Sequence, residues 1–290
     1  MQQLLFAAGH GLFGTKHLII IGVSVFLIVG LYILSRKLSI EKLSKIMLGI
    51  GLVSETIKVF SYIVMNENKV YGMLYQFDEE LKAYVPKEVT FDGILPKTDL
   101  PFQLCSLQII FILIVTLSKS EKVKRFIYSF MMPSCLFGGI AAILIATDSS
   151  RNVWVITFQY FLYHIAIVVF ALRLLTAKEM KWKVKDLLNA FIMLTGVIFF
   201  AIYINSMMFD GISDINFMYV VKPPQKNLPY LNDNNGWLSY IIKYLILVVF
   251  CISITYIKPI IEAISDLIKK KKAKVLKVEE AEKSKELIEK

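Results

Sequence analysis

Reactive and metal-binding side chains are scarce in this chain, with three cysteines and three histidines in 290 residues. The cysteines (Cys105, Cys135 and Cys251) all lie in apolar stretches, and no CxxC or mixed Cys/His ligand spacing occurs. That excludes a disulfide framework and a zinc site of the usual spacing, so neither metal nor cofactor is expected. The sequence has no GxSxG elbow, no HExxH pair and no phosphate-cradling glycine loop. Serine-hydrolase, zinc-protease and P-loop chemistry are therefore set aside. A basic leader and a small-residue cleavage site are missing at the N-terminus, which argues against a removed signal peptide. No inverted repeat of the transporter kind is visible.

Apolar residues are in excess. They make up 56% of the chain, and the mean hydropathy is +0.61. A soluble domain would hold about 45–50%. The excess sits in blocks of about 20 residues between short charged stretches, the pattern of membrane-crossing helices. Backbone groups in lipid must be satisfied within their own segment, so the blocks are expected to be helices. The fold class that follows is an all-α membrane protein, a bundle of seven transmembrane helices.

The spans are expected near His17–Leu34, Leu43–Met65, Leu100–Ser118, Phe126–Thr147, Asn152–Leu175, Leu187–Phe209 and Trp237–Ile257. Pro101 would sit in the first turn of the third, where a missing N–H costs nothing. Pro133 and the Gly138-Gly139 pair would kink the fourth or let a neighbour approach. Residues 1–16 would form an interfacial segment, 17–258 the bundle and 259–290 a charged tail. Alternation around Tyr71–Phe91 in the long polar loop 66–99 predicts a small hairpin. Trp154, Trp237 and Tyr240 stand where interfacial anchors belong.

Net charge is +10. The lysines cluster at helix ends and in the tail, so anionic lipid, not nucleic acid, is the expected partner. The loops after the first, third and fifth spans each carry four Lys or Arg, and the alternate links do not. The positive-inside rule then puts the N-terminus outside and the basic tail in the cytoplasm, in a bacterial plasma membrane.

Polar groups at membrane depth are costly and tend to face the bundle interior. Lys58, Lys243 and Arg173 are near enough to a surface to snorkel. Glu55 and Lys58 are three apart and can pair. Glu55, Gln103, Cys105, Gln159 and His164 have no easy exit. Cys105 is fourteen residues before Lys119, and His164 fourteen before Lys178. At 1.5 Å rise both lie roughly 21 Å above the inner boundary. A thiol and an imidazole thus share one level on two helices running the same way. That pair offers nucleophilic acyl transfer, with thiolate attack on an ester and the imidazole as base and acid. Amide donors from Gln103 or Gln159 would serve a developing oxyanion. The plain alternative is packing, the usual role of a free cysteine in an apolar helix and the reading for Cys135 and Cys251.

The motifs also resemble a family. They are Phe13-Gly14-x-x-His17, Glu55, Leu100-Pro101-Phe102-Gln103-Leu104-Cys105, Tyr160-Phe161-x-x-His164, Asn216-Phe217-Met218-Tyr219 before Lys222-Pro223, and Gly236-Trp237-x-x-Tyr240. Their order is similar to that of the YwaF-like integral membrane proteins of bacteria, relatives of the eukaryotic transmembrane protein 164. The resemblance implies phospholipid remodelling, with an acyl chain moved to a lysophospholipid through Cys105 and His164. Membrane lipid is the partner it implies, and His17, Glu55, Gln103, Gln159, Asn216 and Tyr219 are the substrate-side candidates. Family members often have His at the position of Gln103. The competing function is a small-solute or proton-coupled transport or binding protein with a polar intramembrane cavity. A retinal protein is a poor fit, because Lys243 and Lys258 flank the middle of the last span.

Overall fold

The computed structural model describes residues 14–64, 70–91, 95, 97–145, 154–209, 215–224, 228 and 230–288. Eight helices lie in this part of the chain: α1 (Thr15–Ser35), α2 (Ile40–Val64), α3 (Leu104–Leu117), α4 (Glu121–Ile145), α5 (Trp154–Thr176), α6 (Val184–Met208), α7 (Trp237–Thr255) and α8 (Ile257–Ile288). All of these except α3 and α8 are long and apolar enough to cross a membrane. The protein is thus an all-α, multi-pass membrane protein. Most of the interfacial segment expected over residues 1–16 lies outside the described residues.

Between α2 and α3 a two-stranded antiparallel hairpin forms, β1 (Val70–Asp78) and β2 (Ala83–Phe91), with Val70 opposite Phe91 and Asp78 opposite Ala83. Its turn is built by Asp78, whose Oδ1 accepts the Glu80 and Leu81 N–H groups at 2.9 and 3.0 Å. A side chain that mimics a turn carbonyl in this way favours Asp at such a position.

α4 and α5 form the centre. α5 packs on α4, α2 and α1, and α4 also meets α3, α6 and α7. Ile112, Met131, Met132, Phe170, Leu174 and Tyr256 are fully buried among them. Two glycines allow close approach. A Cβ on Gly51 would fall 2.9 Å from Ile109 of α3, and one on Gly139 would fall 2.6 Å from Val168 and 3.2 Å from the His164 carbonyl oxygen. Pro133 lies inside α4 and has no N–H for the Ser129 carbonyl four residues back. The Tyr256 hydroxyl donates to that carbonyl instead, at 2.8 Å.

The third helix starts four residues later than its apolar run suggests. Pro101 is outside it, in a turn where the Phe102 N–H reaches the Leu100 carbonyl at 2.7 Å. Gln103 is the N-cap, with extended backbone at φ −71°, ψ 151°. Fourteen helical residues span about 21 Å. Arg173 does not snorkel. It is buried and donates to the Leu38 carbonyl at 2.8 Å, supplying a partner to the chain just beyond α1. Nor is Tyr240 an interfacial anchor, because it has 0% exposure. Trp237 is exposed and donates its indole N–H to the Val220 carbonyl. The Trp154 side chain is outside the described residues.

Candidate functional site

A cavity of about 490 Å³ lies among α3, α4, α5, α6 and α7. Its lining is mostly Leu, Ile, Val, Ala and Phe and contains no Asp, Glu, Lys or Arg. Cys105 and His164 both line it, as do Gln103, Gln108, Ser134, Tyr160, Tyr219 and Tyr244.

Cys105 is the second residue of α3. The first intrahelical bond runs from the Leu107 N–H to the Gln103 carbonyl at 3.0 Å. The Cys105 and Ser106 N–H groups therefore belong to the first turn, which has no helical acceptors of its own. The Cys105 carbonyl accepts the Tyr163 hydroxyl at 2.9 Å, which ties α5 to the first turn of α3 one residue from His164.

His164 is 3% exposed. Its Nδ1 lies 2.7 Å from the Tyr160 carbonyl. A carbonyl only accepts, so Nδ1 carries the proton and the neutral ring keeps its lone pair on Nε2. The ring also packs against Tyr160, centroid to centroid 4.2 Å. One turn of α5 thus fixes both tautomer and orientation.

One side of the cavity is closed by the segment 215–224. Phe217, Met218 and Val220 are buried, and Met218 and Tyr219 take left-handed backbone at φ 56° and 53°. Two such residues in succession are costly unless the surroundings hold them. Here the surroundings do. Asn205 of α6 accepts the Phe217 N–H at 2.8 Å and donates to the Phe217 carbonyl at 3.0 Å. Gln103 accepts the Met218 N–H at 2.8 Å and donates to the Asn216 carbonyl at 3.4 Å. Tyr244 donates to the Met218 carbonyl at 2.9 Å, and Tyr240 donates to the carbonyls of Tyr219 and Lys222.

The residues singled out from the sequence divide into two groups. Cys105, His164, Gln103 and Tyr219 come together at the cavity, whereas His17, Glu55, Gln159 and Asn216 are not among its lining. His17 Nε2 lies 3.0 Å from the Ile143 carbonyl. Glu55 pairs with Lys58 at 2.7 Å, as their spacing allows, and Lys58 also donates to the Asp99 carbonyl. Gln159 donates to the Ser54 hydroxyl. Asn216 braces the loop, with its Oδ1 accepting the Val221 and Lys222 N–H groups. Cys135 is fully buried packing, but Cys251 also lines the cavity.

Residues 12–256 match the model of the TMEM164 family. The chain belongs to that family. The match runs from just before the Phe13-Gly14 motif to Tyr256 and so takes in every residue of the cavity. Searches of curated proteins and of solved structures find no match.

Several side chains that shape this TMEM164-family site were not picked out from the sequence. Tyr163 and Tyr244 are aromatic residues in apolar helices, and pattern reading takes them as filling. Asn205 and Gln108 stood out as polar at membrane depth, but nothing in the pattern gave them partners. The helical spacing of Cys105 and Gln108, three residues apart, was the available signal that both share one face.

Proposed function

We propose that this TMEM164-family protein is a lipid acyltransferase of the YwaF-like bacterial kind, working through Cys105 and His164. The observation that carries the reading is that a thiol and a tautomer-fixed imidazole line one apolar cavity. An apolar lining suits acyl chains better than a hydrated solute, which favours lipid chemistry over transport.

The chemistry divides into two half-reactions. His164 Nε2 takes the Cys105 thiol proton as sulfur attacks the ester carbonyl of a phospholipid donor. A C–S bond forms, the ester C–O bond breaks, and the leaving alkoxide takes the proton from Nε2. A lysophospholipid hydroxyl then attacks the thioester. Its proton passes through Nε2 to the departing sulfur, which regenerates the thiol. First-turn N–H groups of α3 are the donors for each tetrahedral oxyanion. Gln103 and Tyr219 border the substrate.

In this reading α3 completes a seventh crossing together with the flanking residues. Residues 1–16 lie at the outer interface, 17–258 form the bundle, and 259–290 with their lysine run lie against the inner leaflet. The decisive test is acyl exchange between labelled phospholipid and lysophospholipid by the purified protein. Cys105→Ala and His164→Ala abolish exchange while Cys251→Ala retains it. Unchanged exchange in the first two variants, with folded protein, overturns the proposal.

A further inference from the structure

Gln108 lies on α3 one turn after Cys105, is 1% exposed and lines the same cavity. Its amide orientation is decided by Ser134. The Ser134 hydroxyl has a single proton, and that proton goes to the Phe130 carbonyl at 2.7 Å. Ser134 Oγ can then only accept from Gln108, whose Nε2 lies 3.0 Å away. The other end of the amide, Oε1, is buried and has no hydrogen-bond donor among the described residues. A buried amide oxygen without a donor is unfavourable and uncommon, and in a cavity wall the natural donor is a ligand.

The lining restricts what that donor can be. With no Asp or Glu around the cavity to neutralise an ammonium, a cationic donor would enter apolar surroundings unpaired. A neutral O–H fits. Its position is informative as well, because three residues along a helix correspond to a rise of about 4.5 Å. A hydroxyl on Oε1 is therefore within one turn of the level of the Cys105 thiol.

We propose that Gln108 Oε1 accepts a hydrogen bond from a free hydroxyl of the bound lipid, so that the cavity selects lipids with a hydroxyl near the reacting centre. This rests on the reading of the cavity as a lipid acyl-transfer site, and it names the feature that distinguishes an acceptor lipid from a fully acylated one. A site built to hydrogen-bond a hydroxyl discriminates strongly against the analogue that lacks it, because the buried acceptor is then left alone.

The experiment measures equilibrium binding of 1-acyl lysophosphatidylcholine and of its 2-O-methyl ether to the full-length protein in nanodiscs. The parent protein binds the hydroxyl form about tenfold more tightly. In Gln108→Leu the two lipids bind within twofold of each other, and Gln108→Met gives the same result should the leucine variant not fold. Equal binding of both lipids by the parent overturns the proposal, as does a preference that survives in a folded variant. Intact-mass detection of an acyl group on Cys105 keeps the two readings apart. A hydroxyl preference without acyl-enzyme removes the transferase reading and leaves Gln108 as a recognition residue. Acyl-enzyme without a preference removes the role of Gln108 alone.

Discussion

The Tyr256 hydroxyl donates to the Ser129 carbonyl, the acceptor that Pro133 leaves without a helical N–H. Tyr256 lies between α7 and α8 and is fully buried, with its ring edge-on to Trp182 at 6.0 Å. One proline in α4 thereby creates a docking point for the end of α7. Phenylalanine at 256 keeps the ring and removes only the donor. Tyr256→Phe is expected to destabilise the fold by about 1–3 kcal/mol, the cost of an unpaired buried carbonyl. In a Pro133→Ala background the helix can satisfy Ser129 itself, and the same change should cost well under half as much. A double-mutant cycle by denaturant unfolding in mixed micelles measures the coupling. Additive effects would show that the hydroxyl does not serve the proline.

Gln103 holds the strained segment beside the cavity with both ends of its amide. Gln103→Leu leaves the Met218 N–H without its acceptor, next to two residues of left-handed backbone. The expected cost is about 1–3 kcal/mol. Hydrogen exchange should rise at residues 216–220 more than elsewhere, because those amides depend on this support. Exchange that rises evenly over α3 and α7 would mean that Gln103 acts through the helices and not through the loop.

What the sequence made legible follows from the physics of each feature. Spans were visible because every one is a continuous apolar run bordered by lysines, and that pattern is local. The start of α3 was misplaced because Leu100-Pro101-Phe102 belongs to the same apolar run by composition. Its backbone is set instead by Gln103 bonding to residues 216 and 218, a contact more than a hundred residues away that no periodicity encodes. Depth was legible for Cys105 and His164 by counting from lysines. Facing was not, and facing decides the site. Gln159 sits on the same helix as His164 yet bonds to Ser54, and Glu55 turns to Lys58. The hairpin was legible from alternation and from its turn residues.

At the opposite end of α6 from that loop, Asp186 accepts from Arg125 Nε at 2.8 Å and Nη2 at 2.6 Å, and from the Lys183 N–H at 2.7 Å. The carboxylate is buried, whereas the guanidinium is about one-third exposed and lies over the Trp182 ring. It joins α4 to the start of α6 and caps that helix at once. Asp186→Asn keeps the shape and loses the charge. The expected loss is about 2–3 kcal/mol, less than for a fully buried pair because Arg125 can rehydrate. Thermal unfolding of the purified variant checks this, and Asp186→Ala should cost more because the cap is lost as well.

The adjacent glycines of α4 give opposite predictions. A Cβ on Gly138 would meet only Leu104 Cδ2 at 3.8 Å, an ordinary contact. Gly138→Ala is therefore expected to stabilise by up to about 1 kcal/mol through helix propensity. A Cβ on Gly139 would fall 2.6 Å from Val168 Cγ2 and 3.2 Å from the His164 carbonyl oxygen. The valine methyl can turn away, but the carbonyl is helix backbone and moves only with α5. Gly139→Ala should then cost about 1–3 kcal/mol and push the His164 turn away from α4. Because His164 is proposed as the proton carrier, a shift of even 1 Å would lower kcat for acyl exchange by about a hundredfold. KM should change little, because the acyl-lining residues keep their places. Wild-type kcat in Gly139→Ala, with a lowered unfolding temperature, would mean that α5 accommodates the methyl without moving the imidazole.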